Sequence, residues 1–486
     1  MHGSTDEGAS TTLESGRPST ESANAPAELN IDIFHFSSKR AFTLAHLKYL
    51  TFTMIGISLL WPWNCFLTAS AYYADRFVGS PSLVRVYSST MMSISTITST
   101  VYNYYLSQSQ TGVDYTHRVN LGLSLTIGVF VAMAASCVAT VFLDMKDTAF
   151  FIGLMLMVFL SAVATCLAQN GTMAIANVMG GIYANAVMVG QAIAGVLPSV
   201  ALIASILIAG PHSGSPANRD TPHDGYNSEA ATANYGVFIY YITASLVSFV
   251  SMTLLYWTNF YKAETAYEAL TNTLENGDND TPANSVSILD AYGTDSVTQS
   301  THVPFSQLWR KLKLIVSAIF LTFSITLIFP VFASNVESVH TDSKHRFFSK
   351  AIFVPFIYLV WNLGDLLGRV LCGFLPGFVI HSPRQLVIYS LSRLVFIPLF
   401  FTCNIHPYTA SGQSSALINS DLWYILLQFL FGLSNGQLCT SSFMIVRDYC
   451  DDDDEKEAAG GFTTVFLSVG LAFGSVLSYL LVAAIN

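Results

Sequence analysis

Apolar runs separated by short polar breaks recur along almost the whole chain, at 47–70, 84–106, 119–143, 148–170, 178–209, 235–258, 312–334, 350–378, 386–404, 422–447 and 459–484. Each approaches the roughly 20 apolar residues that a helix needs to cross the hydrocarbon core of a bilayer. In lipid the backbone must satisfy its own hydrogen bonds, and runs of this length do so as helices. The pattern predicts an all-α polytopic membrane protein with eleven transmembrane helices. Composition points the same way: 11% of the 486 residues are charged, against about 25% in soluble domains.

The charges that remain exclude some partners. With 21 Lys+Arg against 31 Asp+Glu and a net charge of -10, the chain lacks the clustered positive footprint of a nucleic-acid binder. Seven cysteines, Cys65, Cys137, Cys166, Cys372, Cys403, Cys439 and Cys450, show no paired spacing of a zinc or redox motif and read as small buried apolar residues. No metal or cofactor is expected.

Two longer polar gaps, around 210–234 and 260–311, break the series, and the second divides the spans six and five. The expected organisation is a disordered cytosolic tail over 1–45, a six-helix bundle over 46–259, a flexible cytosolic linker over 260–311 and a five-helix bundle over 312–486. The tail lacks a basic start followed by an apolar core, so it does not read as a signal peptide. Lys and Arg are in excess on the flanks that share a side with it, which predicts a cytosolic N-terminus and a lumenal or extracellular C-terminus. The sequons at Asn170 and Asn279 then fall in a span and in the cytosolic linker, and neither is expected to carry glycan.

A charged side chain in mid-span costs about 2.5–3.5 kcal/mol on insertion scales and is kept for a purpose. In WNLGDLLGRV, Asn362, Asp365 and Arg369 stand at i, i+3 and i+7, one narrow sector of a helix, with Asp365 and Arg369 spaced for an ion pair. In LLWPWNCFL, Pro62 loosens the first span just before Trp63 and Asn64, a flat aromatic surface beside a carboxamide. Gln169, Asn170, Asn177, Asn185 and Gln191 put further carboxamides into the fourth and fifth spans; most read as interhelical glue, with Gln169 the one expected ligand contact. Arg118 and Arg393 are expected to pair with acidic partners or helix ends near a gate, and Glu457 adjoins the membrane as a gate candidate. Gly364/Gly368 and Gly470/Gly474 match the small-xxx-small packing pattern.

The stretches LLWPWNCFLTASAYY, QNGTMAIANV, VMVGQAIAGVLPS, FPVFAS, WNLGDLLGRV, SRLVFIPLF, LSNGQL and EAAGGFTTVFLSVGLAFGSVLSYL resemble the equilibrative nucleoside transporter family, most closely its fungal vacuolar branch, in order and over the whole body. The resemblance implies a major-facilitator-like fold lacking its last helix, with bundles of six and five helices that pass nucleosides by alternating access. It implies substrate contacts at Trp63, Leu67, Gln169, Asn362, Asp365 and Arg369, with Asp365 and Arg369 on the ribose hydroxyls and Gln169 on the base edge. Arg118 and Glu457 match positions near the family's gates. A nucleoside suits such groups, since its hydroxyls can donate to a carboxylate and accept from a guanidinium.

Two departures, Gly171 where the family often has Ser and the hydroxylated second span MMSISTITSTVYNYY, extend the expected substrates to nucleobases. The closer branch favours the vacuolar membrane, with the plasma membrane as the alternative. Equilibrative transport is preferred to proton-coupled symport because Arg369 keeps Asp365 paired rather than free to carry a proton. No nucleophile with a base stands in the spans, so no enzyme is expected. A non-transporting receptor is the remaining alternative. The sequence says nothing of oligomeric state.

Overall fold

The computed structural model describes residues 32–37, 40–209, 234–275, 302–340, 346–405 and 416–485. Its first element is an antiparallel hairpin of β1 (Asp32–Ser37) and β2 (Arg40–Thr43), with Phe34 opposite Phe42 and His35 opposite Ala41. The hairpin belongs to a unit separate from the body that begins at His46. It corrects the expectation of a structureless tail through residue 45: the run DIFHFS carries β-branched and aromatic residues suited to a strand. Residues 1–31 lie outside the described residues.

The body is helical. Its first half holds α1 (Leu44–Thr68), α2 (Ser70–Arg76), α3 (Pro81–Gln108), α4 (Tyr115–Ser136), α5 (Thr140–Leu143), α6 (Asp147–Met179), α7 (Gly181–Ala209) and α8 (Tyr235–Glu275). Its second half holds α9 (Phe305–Thr326), α10 (Ile328–Asn335), α11 (Lys350–Phe374), α12 (Pro383–Ser392), α13 (Phe396–Phe400), α14 (Asp421–Met444) and α15 (Asp453–Ile485). The expected linker over 260–311 is therefore shorter than its polarity suggested, since α8 runs on to Glu275 and α9 starts at Phe305. The central part of that linker, 276–301, which includes the Asn279 sequon, lies outside the described residues.

Among the described residues, eight helices are long and apolar enough to cross a membrane: α1, α4, α6, α7, α8, α9 with α10, α11 and α15. The other three expected windows fall on α3, on the pair α12 and α13, and on α14, which are helical but more hydroxylated, broken or polar. The break has a local cause. Pro398 has no N–H to return to the carbonyl of Leu394, and the chain tightens into a 3-10 turn over Arg393–Val395. Caps fix other ends: Asp114 accepts from the His117 N–H to start α4, and Ser420 accepts from the Trp423 N–H to start α14. Between α6 and α7 the whole connection is Gly180, at φ +147°, a backbone that L side chains rarely adopt.

Within the first half α6 packs on α3 and α4, and α4 on α8; within the second, α11 packs on α14, and α9 on α12 and α15. Gly432 and Gly436 let α14 lie directly against the backbone of α11 at Trp361 and Asp365, a seam in which the expected Gly364/Gly368 pair faces Phe429 and Leu433. That seam puts Asn435 beside Asp365. The halves meet where α11 packs on α7 and where α15 packs on α3 and α6.

Candidate functional site

A cavity of about 340 Å³ lies where the two halves face each other, within the roughly 300–1,000 Å³ range of small-molecule sites. Its apolar wall comes from Leu59, Leu60, Trp63 and Phe66 on α1, with Phe323 and Leu327 on α9. Its polar wall follows from helical spacing. Ser95, Ser99 and Asn103 on α3, Ser161, Thr165 and Gln169 on α6, and Ser468 and Ser475 on α15 recur every four residues or two turns apart and so line one face of each helix. Gln191 on α7 and Arg369 on α11 complete it.

Three of the expected ligand contacts thus meet in one cavity: Trp63, Gln169 and Arg369. The other three stand outside its lining. Leu67 is 42% exposed beyond it. Asn362 donates to the Tyr358 carbonyl at 2.8 Å, and its Oδ1 fills the space that the missing side chain of Gly195 leaves, so it packs α11 against α7 and does not line the cavity. Asp365 is buried behind Arg369. Its Oδ2 accepts from Arg369 Nε at 2.8 Å and its Oδ1 from Asn435 Nδ2 at 2.6 Å. Arg369 also donates from Nη1 to the Met188 carbonyl of α7 at 2.9 Å, which leaves Nη2 without a hydrogen-bond partner among the described residues. The pair therefore presents a guanidinium to the cavity and keeps the compensating carboxylate out of reach, with little net charge exposed.

The end of the cavity near the start of α15 is sealed. Asn177 Nδ2 donates to the Lys456 carbonyl at 3.1 Å and Asn185 Nδ2 to the Arg369 carbonyl at 2.7 Å, each tying one half to the other. Gly460 on α15 lies against the backbone of Met173 and Ala174 on α6. Arg118 reinforces this end within the first half, donating to Asn170 Oδ1 at 2.5 Å and to the Ser109 carbonyl at 2.9 Å. Its partners are a carboxamide and the C-terminal end of α3, the helix-end alternative of the expectation rather than the acidic one. Asn170 is buried in this contact, which fits the expectation that its sequon carries no glycan.

Among the described residues Glu457 has no side-chain hydrogen-bond or ion-pair partner. The clasped acid is Glu455, two residues earlier, held by Lys311 Nζ at 2.6 Å, Gln307 Nε2 at 2.5 Å and the Asp451 N–H at 2.8 Å. Asn64 does not line the cavity; it donates to the Ala194 carbonyl at 2.8 Å and fastens α1 to α7.

Among the described residues Arg393 has no acidic partner, and it does not line the cavity. It is buried in the second half, donating to Ser434 Oγ at 3.2 Å, the Thr322 carbonyl at 3.1 Å and Thr326 Oγ1 at 3.3 Å, with its guanidinium carbon 4.5 Å from the centroid of the Phe431 ring. Arg393→Leu is expected to strip these acceptors of their donor and cost about 1–3 kcal/mol of stability. A lower thermal unfolding midpoint with an unchanged KM checks this. A changed KM at unchanged midpoint would place Arg393 in the site instead.

Gln191 and the hydroxyl stripes of α3, α6 and α15 also line the cavity, although the sequence marks none of them as a ligand contact. The signal was present as Ser and Thr four residues apart in MMSISTITST and LSAVATCLAQ, but which face of a polar helix meets the cavity is decided by its neighbours.

A profile described as Nucleoside transporter matches residues 154–483 of the chain. Over 465 residues the chain is 38% identical to the Nucleoside transporter FUN26 of Saccharomyces cerevisiae, covering 91% of this chain and 85% of that protein. It is 26% identical to the Equilibrative nucleoside transporter 1 of Rattus norvegicus, over 90% and 97% of the two chains. With the human Equilibrative nucleoside transporter 2 it shares 26% identity, over 90% and 96%. Among solved structures, the proton:xylose symporter XylE of the major facilitator superfamily superposes with a TM-score of 0.56 at 9% identity, over 91% of this chain and 88% of that one. At that identity the likeness shows the fold alone.

Proposed function

The chain belongs to the nucleoside transporter family, a family of multi-pass membrane proteins, and from that premise we propose that it carries nucleosides across a membrane by facilitative, alternating access. One observation carries the reading most: a single cavity between the two halves of the body gathers a flat aromatic, a carboxamide and a guanidinium from different helices and is closed at one end. A nucleoside combines a planar base, a hydrogen-bonding base edge and ribose oxygens. Trp63 receives the face of the base, Gln169 its edge, and Arg369 Nη2 the ribose. Asp365 works from behind, fixing the guanidinium plane.

Rocking of the six-helix and five-helix bundles then exposes the cavity to either side in turn. With the N-terminus cytosolic, the sealed end is the cytosolic one and the cavity faces the lumen of a vacuole. Nucleobases fit the same aromatic and carboxamide groups and are included as substrates.

The equilibrative mode rests on Asp365. A coupling proton needs an intramembrane carboxylate that can be reached and released, and both oxygens of Asp365 already accept from Arg369 and Asn435. Purified protein in sealed proteoliposomes is expected to show saturable uridine uptake, competed by adenosine and by free uracil, with an imposed pH gradient left intact. Stoichiometric collapse of that gradient on adding uridine would make the protein a symporter. Uridine binding without flux would make it a receptor.

A further inference from the structure

Gln191 reads in the sequence as one more interhelical carboxamide, yet its amide has no hydrogen-bond partner among the described residues, and it lines the cavity. An amide at this depth is costly unless something completes its hydrogen bonds. Its place on α7 says what it faces. Gly190 packs against α1 at Thr53, and the Ala194 carbonyl is held by Asn64 of the same helix. Met188 and Gly195 instead face α11, the first through its carbonyl to Arg369 Nη1 and the second against Asn362. Gln191 comes three residues after Met188 and four before Gly195, so it shares their stripe and opens on the cavity beside Arg369.

The chemistry at Arg369 is incomplete without such a neighbour. A guanidinium only donates, so it can bind the oxygens of ribose hydroxyls but cannot take their protons. The acceptor expected there, Asp365, lies behind Arg369 with both oxygens engaged. The carboxamide oxygen of Gln191 is an unengaged acceptor on the helix that Arg369 itself grips.

We propose that Gln191 is a substrate-binding residue: its Oε1 accepts from a ribose hydroxyl whose oxygen accepts from Arg369. The sugar is then held by the first half through Gln191 and by the second half through Arg369, and substrate itself links the two halves that must move together. This rests on the nucleoside reading above.

The hydroxyl meant is one of the vicinal 2′ and 3′ pair, so the test compares uridine with 2′,3′-dideoxyuridine, which lacks that pair and keeps the 5′ hydroxyl, in proteoliposomes of the purified wild type and of Gln191→Met. Because the Gln191 amide makes no hydrogen bond to the described residues, the variant is expected to keep the wild-type unfolding midpoint. KM for uridine is expected to rise about tenfold, the order of one lost hydrogen bond to a polar partner, while KM for the dideoxynucleoside changes less than about twofold. Unchanged kinetics for both substrates, or equal losses for both, would remove Gln191 from the sugar site while wild-type uptake left the transport reading standing. Absence of uptake of either substrate by the wild type would overturn the transport reading and this proposal with it. Should Gln191→Met unfold, the amide has a structural duty and the proposal falls on that result alone.

Discussion

Replacing Arg369 by Ala is expected to abolish uridine uptake, with a fall of at least a hundredfold in kcat/KM. The side chain presents the cavity's guanidinium, holds Asp365 Oδ2 at 2.8 Å and bridges to the Met188 carbonyl of the opposite half at 2.9 Å. Removing it deletes the ribose donor and also leaves a buried carboxylate with only Asn435 to answer it. Breaking a buried pair from one side costs about 3–5 kcal/mol, because the orphaned charge stays desolvated. Because both partners are buried, stability falls too. Removing both charges separates the two effects. Asp365→Leu with Arg369→Met should recover most of the unfolding midpoint, since apolar side chains replace buried pairs at little cost, yet recover no uptake. Near-normal uptake in either variant would take α11 out of the site.

What could be read in advance follows a physical division. Runs as long as the one that became α6, 33 residues from Asp147 to Met179, declare a spanning helix because length and hydropathy act over one continuous segment. The i, i+4 spacing of Asp365 and Arg369 announced their ion pair for the same reason: both ends of the contact sit on one helix. Contacts between helices were less legible. That Asp365 would lie behind Arg369 depends on Gly432 and Gly436 bringing α14 close enough for Asn435 to reach the carboxylate, three side chains distant in sequence. Arg393 and Gln191 were misjudged in opposite directions. An arginine in an apolar span suggests an acidic partner, and its actual partners are two hydroxyls, a carbonyl and a phenyl ring. A glutamine in one suggests helix glue, and this one has no hydrogen-bond partner among the described residues and lines the cavity. The hairpin at β1 and β2 was hidden by the composition of the tail around it.

The seal at the start of α15 yields the second large effect. A Cβ placed on Gly460 would lie 2.5 Å from the Ala174 nitrogen and 2.7 Å from the Met173 carbonyl carbon. Both are backbone atoms of α6, which cannot swing aside as a flexible side chain can. Gly460→Val therefore forces α15 away from α6, at an overpacking cost of about 1–3 kcal/mol borne only by the state in which this end is closed. Each 1.4 kcal/mol shifts a two-state equilibrium about tenfold, so the variant should populate the opposite state by roughly ten- to a hundredfold more than the wild type. Ser107 of α3, which faces Gly461, offers a reporter. With Ser107→Cys, and with Cys450, the least buried native cysteine, replaced by Ser, a bulky maleimide should label the reporter far faster once Gly460 is Val. Uridine uptake should fall in parallel, because a carrier held open at one end completes few cycles. If labelling and uptake both stayed at the wild-type level, the close approach of α15 to α6 would be ordinary packing, and the opening of this end in the transport cycle would have to be sought between other helices.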